Sequence, residues 1–146
     1  MNRKLQTSRL LLKPFSEEDV AFVVETYNSP LFLKFVGDKK IRTEADAVKY
    51  IQEIMQPQLK KLGFGNYVII NEKTDEKMGG VGIFARENFE VMDIGFSLLP
   101  QYHGSGYAFD ASTLLIDVSL FNCFKSALNK SVISEFSVFK VIMLIR

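Results

Sequence analysis

From Met92 to Leu98 the side chains alternate without a break. Met92, Ile94, Phe96 and Leu98 are apolar; Asp93, Gly95 and Ser97 are small or polar. A period of two marks a half-buried strand with one polar face. The run leads through Pro100, Gly104 and Gly106 into a stretch where Ala111, Leu114, Leu115, Val118 and Phe121 recur at helical spacing. A strand end, a short loop with two glycines and then a helix is the feature that most constrains this chain.

The rest of the sequence supplies a sheet for that strand to join. Leu10 to Phe15 reads as a first short strand. Ser16 with Asp19 has the spacing of a capping box, and Val20, Val23, Val24 and Tyr27 follow at helical spacing. That helix should end near Asn28-Ser29-Pro30, because proline disfavours helix at the residue before it. A second helix should start at Thr43, with Asp46 at the reciprocal position and Val48, Ile51, Met55, Leu59 and Leu62 as its apolar stripe. Pro57 should kink it, and Gly63 should cap its end. Tyr67 to Ile70, Met78 to Ala85 and Val91 to Leu99 read as strands, with turn chemistry at Asn71 to Asp75. Ser131 to Arg146 reads as a final strand. The expected order is β-α-α-β-β-β-loop-α-β, a mixed α+β sheet in a single domain of 146 residues.

Composition narrows the function classes. Hydrophobic residues make up 47% of the chain and charged residues 24%, enough to bury a core. A net charge of +1, with no long run of one sign, gives no reason to expect nucleic acid or an anionic membrane as a partner. One cysteine, Cys123, excludes an internal disulfide and a cysteine-based zinc site. One histidine excludes a His-rich metal cluster, so no metal is expected. Met1 to Lys13 has no signal-peptide core, and the longest apolar run, Val141 to Ile145, is far too short to span a bilayer. A cytoplasmic home is expected.

The chemistry concentrates in Leu98-Leu99-Pro100-Gln101-Tyr102-His103-Gly104-Ser105-Gly106-Tyr107-Ala108. A helix start offers N–H groups without internal partners and adds partial positive charge. Glycines let a phosphate come close to those groups. The local physics therefore predicts an anion site suited to a diphosphate. A Rossmann reading fails, because Phe109 stands where the third small residue belongs. Gly80-Val81-Gly82-Ile83-Phe84-Ala85 fits those letters better but leads into another strand, not a helix. No glycine is followed by Lys and then Ser or Thr, so there is no Walker loop. Taken alone, the two glycines fit an ordinary tight turn slightly better than a binding loop.

Two stretches together carry a more specific likeness. One is Thr7-Ser8-Arg9-Leu10-Leu11-Leu12-Lys13-Pro14-Phe15 with Asp19 following. The other is Asp93-Ile94-Gly95-Phe96-Ser97-Leu98-Leu99-Pro100, then Gly104-Ser105-Gly106-Tyr107-Ala108 and Asp110-Ala111. From about Thr7 to about Phe121 the chain resembles the GNAT N-acetyltransferase superfamily, in particular its ribosomal-protein-alanine N-acetyltransferases. The family's Gln/Arg-x-x-Gly-x-Gly/Ala loop can be placed in two ways. By letters it starts at Gln101. Pro100 and a helix start at Tyr107 favour starting it at His103, with Gly106 central and Ala108 last.

The resemblance implies acetyl-CoA as cosubstrate and direct transfer of its acetyl group to a primary amine, on a protein N-terminus or a small molecule. It implies that His103, Gly104, Ser105, Gly106, Tyr107 and Ala108 cradle the pyrophosphate. Backbone groups of Phe96, Ser97 and Leu98 would hold the pantetheine arm at a splay between strands, one N–H polarising the thioester carbonyl. Asp93, on the polar face of that strand, is the candidate to take the amine's proton; the competing reading is a solvated or substrate-orienting residue. His103 suits a hydrogen bond near the diphosphate better than a general-base role, and an exposed loop histidine is the plain alternative. Cys123 reads as a small buried hydrophobe. Phe32, Phe35 and Phe64 fit an aromatic core better than an acceptor pocket.

The chain also departs from the family. Ser105 stands where Lys or Arg is common. After Phe124 the family's further strands, and the helix that often supplies a Tyr or Ser to protonate the thiolate, have no counterpart, so residues 125–146 are atypical. The expectation is a GNAT-like sheet whose final strands are missing or rearranged by truncation or a shifted reading frame. Such a sheet would leave an open edge, which a homodimer could cover. Two other readings stand beside the enzyme: a catalytically impaired acyl-CoA-binding remnant, and a structural oligomer without ligand.

Overall fold

The computed structural model describes residues 4–85 and 92–130, with the backbone alone for 85 and 122–130. In chain order the elements are β1 (Leu5–Gln6), β2 (Leu10–Pro14), α1 (Val20–Tyr27), α2 (Pro30–Phe35), α3 (Glu44–Tyr50), α4 (Gln56–Leu62), β3 (Asn66–Asn71), β4 (Lys77–Ala85), β5 (Met92–Leu98) and α5 (Tyr107–Lys130). The strands form one sheet in the order β1-β2-β3-β4-β5, and each is antiparallel to its neighbour. The architecture is α+β, with helices on both faces of the sheet.

Alternation along the strands divides the core in two. Leu10, Leu12, Tyr67, Ile69, Val81, Ile83 and Ile94 pack on one face with Ala111 and Leu115 of α5. Phe15, Val68 and Ile70 pack on the other with Val23 of α1, Ala47 of α3 and the segment that follows it. A slip of one residue would exchange the faces, so burial on both sides pins the register.

Local chemistry explains the element ends. Asp19 is fully buried; its Oδ2 accepts from the Ser16 N–H at 2.9 Å, and Lys77 Nζ lies 2.7 Å from Oδ1. One carboxylate thus starts the α1 region and ties it to β4. Pro30 ends α1 as expected but also opens α2, a helix the sequence reading did not foresee. Ser29 Oγ accepts from the Phe32 N–H at 3.3 Å, and the proline sits in the first turn, where a missing N–H costs nothing. The interruption expected at Pro57 takes the form of a π-wound turn, Ile51–Met55, between α3 and α4. Proline cannot donate back to the chain and its ring crowds the preceding turn; wider winding relieves both. Gly63, at φ +79°, closes α4.

Gly80 to Ala85 lies within β4, between two antiparallel partners, as its rejection as a dinucleotide loop required. Its neighbour Gly79 has a packing role. A Cβ there would collide with the Ser97 carbonyl, so the glycine lets β4 and β5 close together. α5 extends past Phe121 to Lys130, nine residues beyond the apolar stripe. Cys123 lies in that extension, where the side chains are outside the described part. The strand expected over Ser131–Arg146 falls outside the described residues; of the atypical segment 125–146 only 125–130 lies within them, as the backbone of the end of α5.

Candidate functional site

The site is assembled where β5 ends and α5 begins. Pro100 to Tyr102 makes one 3-10 turn, closed by the Tyr102 N–H on the Leu99 carbonyl at 3.0 Å and the His103 N–H on the Pro100 carbonyl at 3.2 Å. Gly104 and Gly106 then adopt φ +76° and +78°, a left-handed backbone that disfavours side chains. Gly106 is the last residue before α5, and its carbonyl accepts the first bond of the helix, from the Asp110 N–H at 3.1 Å. The N–H groups of Tyr107, Ala108 and Phe109 precede that bond. No described side chain accepts from them. Gly104, Ser105 and Gly106 are exposed and Ala108 is half-buried.

β5 sits at the sheet edge, among the described residues. The Leu99 N–H bonds to the Met78 carbonyl at 2.9 Å, in register with Gly80–Ser97 and Gly82–Gly95. Antiparallel ladders alternate, so Ser97 and Gly95 point their backbone groups into β4, while Leu98, Phe96 and Ile94 point theirs to the outer edge. The three residues grouped from the sequence therefore separate. Phe96 and Leu98 offer backbone donors and acceptors outward; those of Ser97 belong to the ladder. A second strand splayed from β5 is not present among the described residues.

His103 turns back from the loop to this edge. Its Nε2 lies 2.9 Å from the Leu98 carbonyl oxygen. A carbonyl only accepts, so Nε2 carries the hydrogen. Asp93 is half-buried on β5, opposite Phe84, on the sheet face away from α5 and in line with Gly95 and Ser97. It lies five residues from Leu98, about 17 Å along an extended strand. Tyr107 and Tyr102 meet edge-on, ring centres 6.4 Å apart, over the apolar end of β5. The Tyr102 phenol is pushed above its ordinary range, first by desolvation and then by the negative charge of Glu76.

Two residues that the sequence reading gave no role stand at the loop. Arg9 donates from Nε and Nη2 to Asp110 Oδ2, at 2.8 and 2.6 Å, and from Nη1 to the Ser105 carbonyl at 2.9 Å. Its guanidinium carbon lies 4.7 Å from the centre of the Tyr107 ring. Of the aromatic candidates, Phe32 and Phe64 are core, Phe32 stacking on Tyr27 at 4.2 Å, while Phe35 is exposed. Among the described residues no group of three His, Cys, Asp or Glu could hold a metal ion, and no helix is long and apolar enough to cross a membrane.

Residues 9–136 match the family model for the acetyltransferase (GNAT) domain. The chain belongs to the GNAT acetyltransferase family. Solved structures agree on the fold. The GNAT domain superposes on an acetyltransferase from Agrobacterium tumefaciens with a TM-score of 0.65 and 25% identity, over 79% of this chain and 65% of that one. A GNAT-family acetyltransferase from Bacillus anthracis gives 0.58 at 20% identity, over 88% and 68%. The ribosomal-protein-S5-alanine acetyltransferase of Vibrio fischeri gives 0.58 at 14%, over 79% and 66%. This GNAT domain thus spans about two thirds of the length of these relatives. No curated protein matches it closely enough to count as a relative.

Proposed function

We propose that this GNAT domain binds acetyl-CoA at the loop 103–108 and transfers the acetyl group to a primary amine. One observation carries the reading. The start of α5 is left open to solvent behind two left-handed glycines, directly beside the outward-facing edge of β5. A diphosphate set against Gly104 to Ala108 would meet unpartnered N–H groups and the positive end of a 24-residue helix. The helix start at Tyr107 supports the placement of the motif that runs from His103 through Gly106 to Ala108.

From the diphosphate, the pantetheine arm would run along the edge of β5 and bond to the outward groups of Leu98 and Phe96. An amide arm can pair with a strand edge as another strand would. An outward N–H near Phe96 would then polarise the thioester carbonyl. The amine attacks that carbonyl carbon, the C–S bond breaks, and the sulfur leaves as thiolate. Asp93, further along the strand, is the proposed acceptor of the amine's proton, directly or through water. The acceptor is an amine on a protein N-terminus or a small molecule.

Acetyl-CoA titration calorimetry with the Gly106→Asp variant tests the reading. The variant sets a carboxylate against the diphosphate; two unit charges about 4 Å apart repel by about 4 kcal/mol at an effective dielectric of about 20. Binding should weaken by about a hundredfold or more. Equal binding by variant and parent, or no binding by a folded parent, would overturn the proposal. Binding without turnover across an amine screen would leave an acyl-CoA-binding domain without catalysis.

A further inference from the structure

Three residues, Thr7, Leu10 and Glu72, fix the backbone from which one side chain, that of Arg9, reaches the loop. Thr7, between β1 and β2, accepts at its Oγ1 from the N–H groups of Arg9 and Leu10, at 3.1 and 2.9 Å, and donates its own N–H to the Leu10 carbonyl at 2.8 Å. The Arg9 carbonyl is held by the Glu72 N–H at 2.9 Å. The backbone of Arg9 is therefore fixed on both sides before its side chain is considered. This turn is part of the Thr7-Ser8-Arg9-Leu10 stretch noted in the sequence, and the proposed chemistry makes no use of it.

The side chain then spans two structures a ligand would need. Nη1 holds the Ser105 carbonyl in the middle of the loop, and Nε and Nη2 hold Asp110 in the first turn of α5. Gly106 lies between these contacts. A Cβ added there would stand 3.4 Å from Arg9 Nη2, an ordinary contact, so it is the left-handed φ of +78° and not crowding by the guanidinium that favours glycine. Asp110 stabilises a helix start but sets a negative charge one turn from the open N–H groups, where it would repel an anion. Arg9 lies on that charge.

We propose that Arg9 is a positioning residue for the cosubstrate: it holds the loop in its ligand-ready form and screens Asp110 from the diphosphate. This rests on the acetyl-CoA reading above. A loop that is ready only part of the time binds with an affinity reduced by that fraction. Arginine suits the task because its rigid planar fork fixes two acceptors from separate nitrogens in one geometry, which the single freely rotating ammonium of lysine does not reproduce.

The test measures acetyl-CoA affinity and the backbone amide order parameters of Gly104, Ser105 and Gly106 in the free protein. In Arg9→Ala the order parameters should fall from about 0.85 toward 0.6 or below, and Kd should rise by about tenfold. Arg9→Lys should raise Kd by about threefold; it carries the test if Arg9→Ala does not fold. Adding Asp110→Asn to Arg9→Ala should recover part of the lost affinity, because the unscreened charge is gone. A purely structural ion pair would lower the melting temperature and leave the affinity of the folded fraction unchanged. Kd within twofold of the parent in both Arg9 variants, or unchanged order parameters, overturns the inference. A parent protein that binds no acetyl-CoA overturns the functional reading instead, a result distinct from equal binding by parent and variant.

Discussion

Two helices of this domain begin in opposite ways. At the start of α3, Thr43 Oγ1 accepts from the Asp46 N–H at 3.1 Å, and Asp46 Oδ2 accepts from the N–H groups of Thr43 and Arg42 at 2.9 and 3.0 Å. The capping box closes this helix start on itself, through the Asp46 N–H inside the helix and the N–H groups of Thr43 and Arg42 just before it. At the start of α5 the preceding residue is Gly106, which has no side chain to cap with, and the one acid of the first turn is turned onto Arg9. A helix whose cap is closed is a structural part. One whose donors are left open, while its nearby carboxylate is paired from elsewhere in the fold, is where the proposed diphosphate would sit.

The contrast can be broken by mutation. The largest effect should come from Gly106→Asp, at about a hundredfold in acetyl-CoA affinity, with the approximately tenfold effect of Arg9→Ala next. Thr43→Ala should behave in the reverse sense. It should cost about 1 kcal/mol of stability in denaturant unfolding and leave the affinity unchanged. If it shifted Kd instead, the two helix starts would not be independent. Ser105→Arg should sharpen the difference. It restores the cation common in the family, should tighten binding by about threefold, and should lose that gain at high salt.

The smallest effect concerns Asp46. Backbone hydrogen bonds from Arg42 and Thr43 hold its carboxyl below the ordinary value of 3.8. A depressed folded-state value means that the stabilisation is complete above the unfolded value and is lost as the pH falls through the folded one. The stability difference between the parent and Asp46→Asn should therefore be constant near neutral pH and shrink below about pH 4. Urea melts at several pH values would show it, and a difference that grows in acid would refute the assignment.

Much of this contrast was legible in the sequence because it rests on local rules. Thr43 and Asp46 sit at capping-box spacing, and the two-residue alternation of β5 follows from its packing of one face, Met92, Ile94, Phe96 and Leu98, into the core beneath α5. Other parts were hidden for identifiable reasons. α2 was masked by Pro30, read as the end of one helix when Ser29-Pro30 also has the form of a start. β1 is two residues long, too short for any period. Arg9 and Asp110 are 101 positions apart, and no spacing rule connects a turn before the second strand to the last helix. The family letters included both residues, but only packing shows that they meet. The orientation of His103 was likewise invisible, since the sequence places it on the loop without saying whether it faces a ligand or its own strand.

That orientation has a practical use. His103 is the only histidine in the chain, and its Nε2–H lies on the Leu98 carbonyl at the edge where an acyl-pantetheine arm would pair. Its imidazole resonances therefore need no site-specific label to be assigned. A ligand that takes over the Leu98 carbonyl would release the ring, and the ring nitrogens would register the change. The domain carries its own spectroscopic probe, on the first residue of the loop and one hydrogen bond from the strand.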